Sequence, residues 1–383
     1  MLEEFNPWWI GEEDKDILEF KSLEYKHYPA WIKKISLVPF SLNFIFGLRK
    51  TGKTTGIKLL IDGLLKKIKN PFSIFFFSVD VLDNYRELYE ILKEYWKLRE
   101  SKGLKNCYIF LDEVTLLENW WRAVKVFIDQ YKPKAVFVLS GSVSMFFHGK
   151  AETFAGRRGK GKLINVMPLS FPEYFKLFKK PRLPATLAEI FKNYLKTGGY
   201  LGVLNKTIEE EDIILGLKND LRIANKSVEI AKHIMADIFK KAPSPCSFHS
   251  IANDVGVSVK TVIEYLETLK EMFVLKDILY MSLDGRVYPR KERKLMVRDP
   301  FLTNAISIWT RCEIRKDFLY EWIVQEHLLR KYGEVYYYRD RYEIDCLTDR
   351  LKIEVKAGKP HRKYPKNVII LKEKNIPEFL FSL

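Results

Sequence analysis

Short apolar runs mark the N-terminal part of the chain: Leu42–Phe46, Ser73–Val79, Tyr108–Leu111 and Ala135–Leu139. Each reads as a strand buried on both faces, because apolar residues follow one another without the alternation of a half-exposed strand. Between the first two runs, Ile57, Leu60, Ile61, Leu64 and Leu65 recur at helical spacing and predict an amphipathic helix. Strands alternating with helices imply a parallel sheet with right-handed crossovers, whose ligands bind at the C-terminal ends of the strands. Helical patterns dominate from Ala188 to Lys240, and "KAPSPCSF" then interrupts them with two prolines, as a domain boundary would.

Beyond that break the pattern changes. "SFHSIANDVG" opens on a capping Ser247 and closes on Gly256, and a second helix starts at Ser258 with Val262, Tyr265, Leu266 and Leu269 on one face. "FVLKDILYMSL" and "RKLMVRD" follow as two strands joined by a basic loop, Arg286 to Arg293. Helix, turn, helix and hairpin make a winged helix. On it, Lys260 and Thr261 would face a nucleic acid from the second helix, with Arg286, Arg290, Lys291 and Arg293 on the wing touching phosphates. A protein-binding use of the same module stays open. The chain ends with an amphipathic helix, Leu319 to Lys331, and short strands carrying Glu343, Asp345, Glu354 and Lys356.

The strongest chemical signal is Gly47-x-x-x-x-Gly52-Lys53-Thr54, placed between the first predicted strand and the first predicted helix. That context is what a phosphate-binding loop needs. Gly47 through Thr55 (Gly47, Leu48, Arg49, Lys50, Thr51, Gly52, Lys53, Thr54, Thr55) would wrap backbone N–H groups around the phosphates of ATP at a helix N-terminus. Lys53 would reach the β- and γ-phosphates, and the Thr54 hydroxyl would take Mg²⁺. The run Tyr108–Leu111 ends in Asp112-Glu113, a second acidic element in which Asp112 would hold Mg²⁺ through water and Glu113 would polarise the attacking water. After the Ala135–Leu139 run, Ser142, or in second place Ser140, is the candidate polar residue beside a γ-phosphate.

Charge narrows the partners. The 383 residues carry a formal charge of +16, which favours a polyanion, nucleic acid or acidic membrane surface, or else reflects a lysine-rich solubilising surface. No apolar run approaches the roughly 20 residues needed to span a bilayer, and nucleic acid rather than a membrane is the partner expected. Cys107, Cys246, Cys312 and Cys346 form no CxxC pair, and the acidic, aromatic N-terminus is unlike a targeting peptide; a cytoplasmic setting is expected.

"LSGSVS", "FAGRRGKGKLINVMPLSFPEYFKLF" and "TGGYLGVL", with "FNPWW" and "WIKKISLVPFSLNFIFG" ahead of them, make the chain resemble the AAA+-like ATPases of archaea and bacteria. Those proteins typically end in a domain related to restriction endonucleases. The resemblance implies an α/β fold: a P-loop AAA+-like core over 1–180, a helical lid and connector over 181–242, a winged helix over 243–312 and a nuclease-like domain over 313–383. It also implies that Arg157, in the family's Gly-Arg, acts on a γ-phosphate in cis or from a neighbouring subunit of a homo-oligomer; Arg158 beside it shares the motif. No clear lid arginine is present.

One helix followed by strands bearing Glu343-x-Asp345 and Glu354-x-Lys356 is the layout of a PD-(D/E)xK nuclease core. Asp345 and Glu354 would share Mg²⁺, Lys356 would orient or activate water, and Glu326 would assist from the helix. Alternating Glu and Lys on strands are equally ordinary edge polarity. Two functions therefore stand: an ATPase acting on nucleic acid, DNA in the first instance, or a nucleotide-driven switch that binds proteins and carries an inert nuclease-like domain.

Overall fold

The first apolar run forms the central strand β1 (Ser41–Gly47), every residue of which is buried. It belongs to an all-parallel sheet with β2 (Ile74–Ser78), β3 (Cys107–Asp112), β4 (Ala135–Gly141) and β5 (Leu163–Val166), in the order β2-β3-β4-β1-β5. Strands that run parallel and are buried on both faces explain the unbroken apolar runs. Helices α1 (Lys15–Ser22), α2 (Lys53–Leu65), α3 (Tyr85–Ser101) and α4 (Trp120–Tyr131) accompany the sheet. Because β4 lies between β1 and β3, its end is flanked by the ends of both strands that carry candidate phosphate and metal groups. In the computed structural model, residues 2–142, 154, 156–358 and 364–383 are described.

The N-terminal residues close one edge of this sheet. The Asn6 carboxamide accepts from Phe76 N–H at 2.7 Å and donates to Phe76 O at 2.9 Å, so one side chain pairs with an edge-strand residue as a neighbouring strand would. The indoles of Trp8 and Trp9 both donate to Ile74 O, at 3.1 and 2.9 Å. Trp9 also stacks on Phe72 and, with Phe75, on Tyr95. This accounts for "FNPWW".

Contacts divide the chain into two units, Met1–Met167 and Pro168–Leu383. The second unit opens with helix α5 (Phe171–Lys176), and the segment expected as a lid, 181–242, follows within it as helices α6 (Pro184–Thr197), α7 (Glu210–Ile223) and α8 (Val228–Lys241). Next come α9 (Phe248–Val255), with Ser247 as its N-cap and Gly256 ending it at φ +75°, and α10 (Val259–Glu271), N-capped by Ser258. The hairpin β6 (Leu275–Tyr280) and β7 (Lys294–Val297) follows, then α11 (Pro300–Thr310) and α12 (Lys316–Tyr332).

β8 (Tyr336–Arg339), β9 (Glu343–Leu347), β10 (Lys352–Lys356) and β11 (Ile369–Lys372) complete a six-stranded sheet, with α13 (Ile376–Ser382) after them. The order is β11-β10-β9-β8-β6-β7, with β6 parallel to β8. The hairpin expected to be a separate wing is therefore continuous with the strands expected to be a separate nuclease-like domain. α12 also departs from expectation. All residues from Phe318 to Leu328 are buried, so the helix is central rather than amphipathic, and its Glu321, Gln325, Glu326 and His327 need internal partners. No helix among the described residues is long and apolar enough to cross a membrane.

Two glycines of "TGGYLGVL" have packing reasons. Gly198 sits at φ +54°, where a Cβ would lie 2.0 Å from Asp299 Oδ1, and a Cβ on Gly199 would lie 2.1 Å from Leu169 O. Their absence lets Asp299 accept from Gly199 N–H at 2.9 Å while it caps α11 through Phe301 N–H at 2.8 Å.

Candidate functional site

At the end of β1 the chain turns through Gly47, where a Cβ would lie 1.9 Å from Val166 O, and reaches Gly52 at φ +80° and the first turn of α2. Thr51 Oγ1 donates to Leu48 O at 2.8 Å and helps close the turn. Lys53 is buried, and its ammonium donates to Gly47 O at 3.1 Å and Leu48 O at 2.8 Å. It is thus folded back into the loop by the carbonyls of the loop itself. Gly56, one turn along α2, lies against the Trp31 ring, where a Cβ would come within 2.3 Å of the indole. A side chain there would displace Trp31 from the first turns of α2.

Thr54 Oγ1 donates to Asp112 Oδ2 at 2.6 Å, joining the loop to the end of β3. The other carboxylate oxygen, Asp112 Oδ1, accepts from Ser140 Oγ at the end of β4. β4 therefore orients Asp112 from its middle position in the sheet. Ser142, two residues on, has a buried Oγ with no hydrogen-bond partner among the described residues, and its N–H donates to Thr115 Oγ1 at 3.3 Å. The two serines separate in role: Ser140 holds the carboxylate, and Ser142 leaves an unsatisfied hydroxyl at the strand end. Glu113 follows Asp112 in the left-handed region, at φ +52°, which turns the chain sharply off the strand. Arg157 makes an exposed bidentate pair with Asp129, at 2.6 and 3.1 Å, and this pair lowers the Asp129 pKa.

The loop and Asp112 fit the groups the sequence implies. Backbone turning inward at glycines suits phosphates, and a hydroxyl beside a single carboxylate suits a hydrated Mg²⁺ that takes its other ligands from ATP. Lys53 supplies a cation already inside the cradle. Sequence reasoning found these residues because their spacing is local; it ranked Ser140 second and passed over Trp31.

The second cluster gathers on β9, β10 and α12. Alternation does put Glu343 and Asp345 on one side of β9, and both contact the same group: the buried ammonium of Lys294, from β7. Lys294 Nζ lies 2.8 Å from Asp345 Oδ1, 2.9 Å from Glu321 Oε1 and 2.9 Å from Glu343 Oε1. In a flat sheet β7 and β9 would lie about 14 Å apart, three strand spacings, so these bonds need a curled sheet. Asp345 Oδ2 accepts from Val355 N–H at 2.8 Å. Burial works against the charge on Lys294, but Asp345, Glu321 and Glu343 outweigh it and raise its pKa well above the ordinary lysine value. Burial and then Asp345 push the Glu321 carboxyl upward. Burial would raise Asp345 as well, but Lys294 outweighs it and holds that pKa below the ordinary value.

Glu354 and Lys356 pair with each other at 2.5 Å, and Tyr364 donates to the same Glu354 oxygen at 2.8 Å. Burial, reinforced by Asp345, pushes Glu354 up to about 7. Glu326, expected to assist from the helix, instead lies between Arg298 at 2.9 Å and Arg330 at 2.8 Å. Glu321 takes the place facing Asp345.

Of the basic residues read as nucleic-acid contacts, Lys260, Arg290 and Lys291 are exposed. Lys291 lies over the Tyr280 ring at 3.8 Å. Thr261 serves the cap of α10, through its N–H and its hydroxyl to Ser258 Oγ. Arg293 donates to Pro289 O at 2.8 Å and stacks over Phe248. The outer face of α10 also shows Glu264, paired with Lys226, and Glu267, paired with Lys270.

Residues 40–175 match the family model described as AAA domain, which takes in the loop, Asp112 and the end of β4. Among curated proteins none matches the chain. Solved structures similar to it include the Aeropyrum pernix ORC1 protein in complex with DNA, at 12% identity and a TM-score of 0.33, covering 78% of this chain and 93% of that one. The Aeropyrum pernix ORC2 protein, in ADPNP-ADP complexes, is 10% identical with a TM-score of 0.43, covering 79% and 95%. Cdc6p of Pyrobaculum aerophilum is 12% identical with a TM-score of 0.33, covering 78% and 98%. Likeness at these values transfers no function.

Proposed function

We propose that this chain is an ATP-hydrolysing switch built on the AAA domain of residues 40–175, and that it acts on nucleic acid, DNA in the first instance. The observation that carries the ATPase reading is the meeting of Thr54, Asp112 and Ser140 at the end of the sheet, directly beside the Lys53 loop. Loop N–H groups and the N-terminus of α2 receive the phosphates, and Lys53 exchanges the carbonyls of Gly47 and Leu48 for the β- and γ-phosphate oxygens. Thr54 and Asp112 are the residues that would hold Mg²⁺, which when bound neutralises charge building on the transferred phosphoryl group. Ser140 keeps Asp112 aimed, Glu113 orients the attacking water and accepts its proton, and Ser142 offers its free hydroxyl at the strand end. Arg157 is a candidate for the γ-phosphate of a neighbouring copy, because opening an exposed pair with Asp129 costs little.

The nucleic-acid part rests on the formal charge of +16 and on the exposed basic loop of the hairpin, which with α9 and α10 has the element order of a winged helix. Carboxylates on the outer face of α10 move the expected contacts toward Arg286, Arg290 and Lys291. The same carboxylates favour a second reading, a switch that binds proteins.

Steady-state ATP hydrolysis, measured with and without duplex or single-stranded DNA across a NaCl series, separates the two. The first reading expects hydrolysis that DNA stimulates and salt suppresses, whereas the second expects indifference to both. Lys53→Ala and Asp112→Asn should each lower the rate by about two orders of magnitude or more. Wild-type rates in either variant would end the ATPase reading.

A further inference from the structure

We infer that the carboxylates of β9 and α12 take no divalent cation, because the ammonium of Lys294 is their built-in counter-ion. An ammonium has three N–H donors. Here two carboxylates accept from it, Asp345 at 2.8 Å and Glu321 at 2.9 Å, a third, Glu343, is ion-paired with it at 2.9 Å, and its side chain is 3% exposed. The remaining Asp345 oxygen is engaged by Val355 N–H. Glu321 is fixed further by Gln325, whose amide donates to Glu321 Oε1 at 2.9 Å and to Asp345 O at 3.1 Å. A Mg²⁺ or Mn²⁺ ion would need Asp345 and Glu354 to present oxygens together to an octahedral shell at about 2.1 Å. Asp345 has both oxygens engaged, and Glu354 gives one of its own to Lys356 and Tyr364. Among the described residues, no three His, Cys, Asp or Glu side chains are disposed to hold a metal ion.

The cation comes from far along the chain. Lys294 begins β7, the hairpin strand, and its three partners lie on α12 and β9. The ammonium therefore ties the hairpin to the helix and strands that would otherwise form a metal site, and makes a structural joint of them. A buried lysine at this point is stable only if the carboxylates are present, and the carboxylates only if the lysine is. The joint lies wholly in the second unit and is independent of the ATPase reading.

Mn²⁺ binding to the nucleotide-free full chain, read by the electron paramagnetic resonance of the free ion, tests this. Asp112→Asn is introduced first to remove the nucleotide-site ligand. The expected result is no bound Mn²⁺ up to millimolar concentration, and no Mn²⁺-dependent cutting of plasmid DNA. One bound Mn²⁺ per chain that disappears with Asp345→Asn would overturn the inference. Lys294→Met should lower the Tm by about 10 °C. If Lys294→Met fails to fold, or Asp345→Asn does, the Mn²⁺ stoichiometry of the Asp112→Asn chain decides alone: zero supports the inference and one defeats it.

Discussion

At the scale of single residues, burial of groups that could carry charge decides most of the chemistry. His327 is an example in the second unit. Its Nε2 accepts from Phe171 N–H at 2.9 Å and its Nδ1 lies 2.7 Å from Ile323 O, an arrangement that suits the neutral ring protonated on Nδ1. Burial, and then Arg330, depress its pKa to about 4. An unfolded chain takes up this proton near pH 6.5 and the folded one only near 4. The stabilisation is therefore fully present above pH 6.5 and is lost as the pH falls toward 4. It amounts to about 3 kcal/mol. Urea unfolding of wild type and His327→Gln at stepped pH should show this extra slope in wild type only.

Whether a residue's role can be read from sequence depends on how local its partners are. Lys53 bonds the carbonyls of Gly47 and Leu48 within a few residues, and Gly52 supplies the left-handed turn between them, so their spacing is nearly the whole signal. Glu321 and Glu326 show the opposite. Five residues apart on a helix, they point about 140° away from each other and cannot face the same group. A helix buried on every side offers no polar face to tell which one turns toward β9. Ser140 and Ser142 lie on the same side of the chain by alternation, and only the neighbouring strand end shows that Ser140 reaches Asp112.

Among elements, the edge of the parallel sheet carries the clearest consequence. β2 has a free side in the strand order, and Asn6, Trp8 and Trp9 cover it with side-chain rather than strand hydrogen bonds. Asn6→Ala should leave Phe76 N–H and C=O buried without these partners. The change should destabilise the first unit by about 2–4 kcal/mol, from two lost bonds at about 1–2 kcal/mol each. Denaturant unfolding followed by tryptophan fluorescence measures this directly, because Trp8 and Trp9 belong to the same cover.

Over the whole molecule, charge gives the testable quantity. If duplex DNA is the partner, the logarithm of affinity falls linearly with that of salt concentration, by roughly 0.9 for each phosphate neutralised. Arg290→Ala with Lys291→Ala should reduce that slope by about two and weaken binding evenly across sequences. Fluorescence anisotropy with labelled duplexes at several NaCl concentrations checks it; an unchanged slope would place the phosphate contacts elsewhere.

The sequence by itself determined the α/β class, the glycine turn between β1 and α2, Asp112 at the end of β3 and the caps of α9 and α10. Each of these follows from neighbours along the chain: apolar continuity, helical period, or a turn that only particular residues permit. The tertiary structure decided what the sequence pattern left open. It set β4 between β1 and β3, so that Ser140 steadies Asp112, and it ran the hairpin into the sheet of β8 to β11. It also brought Lys294 to carboxylates 27, 49 and 51 residues away, so that acids spaced like a metal site pair with a buried ammonium. Strand order and sheet curl are properties of the assembled chain, and no spacing of residues along it encodes which cation arrives first.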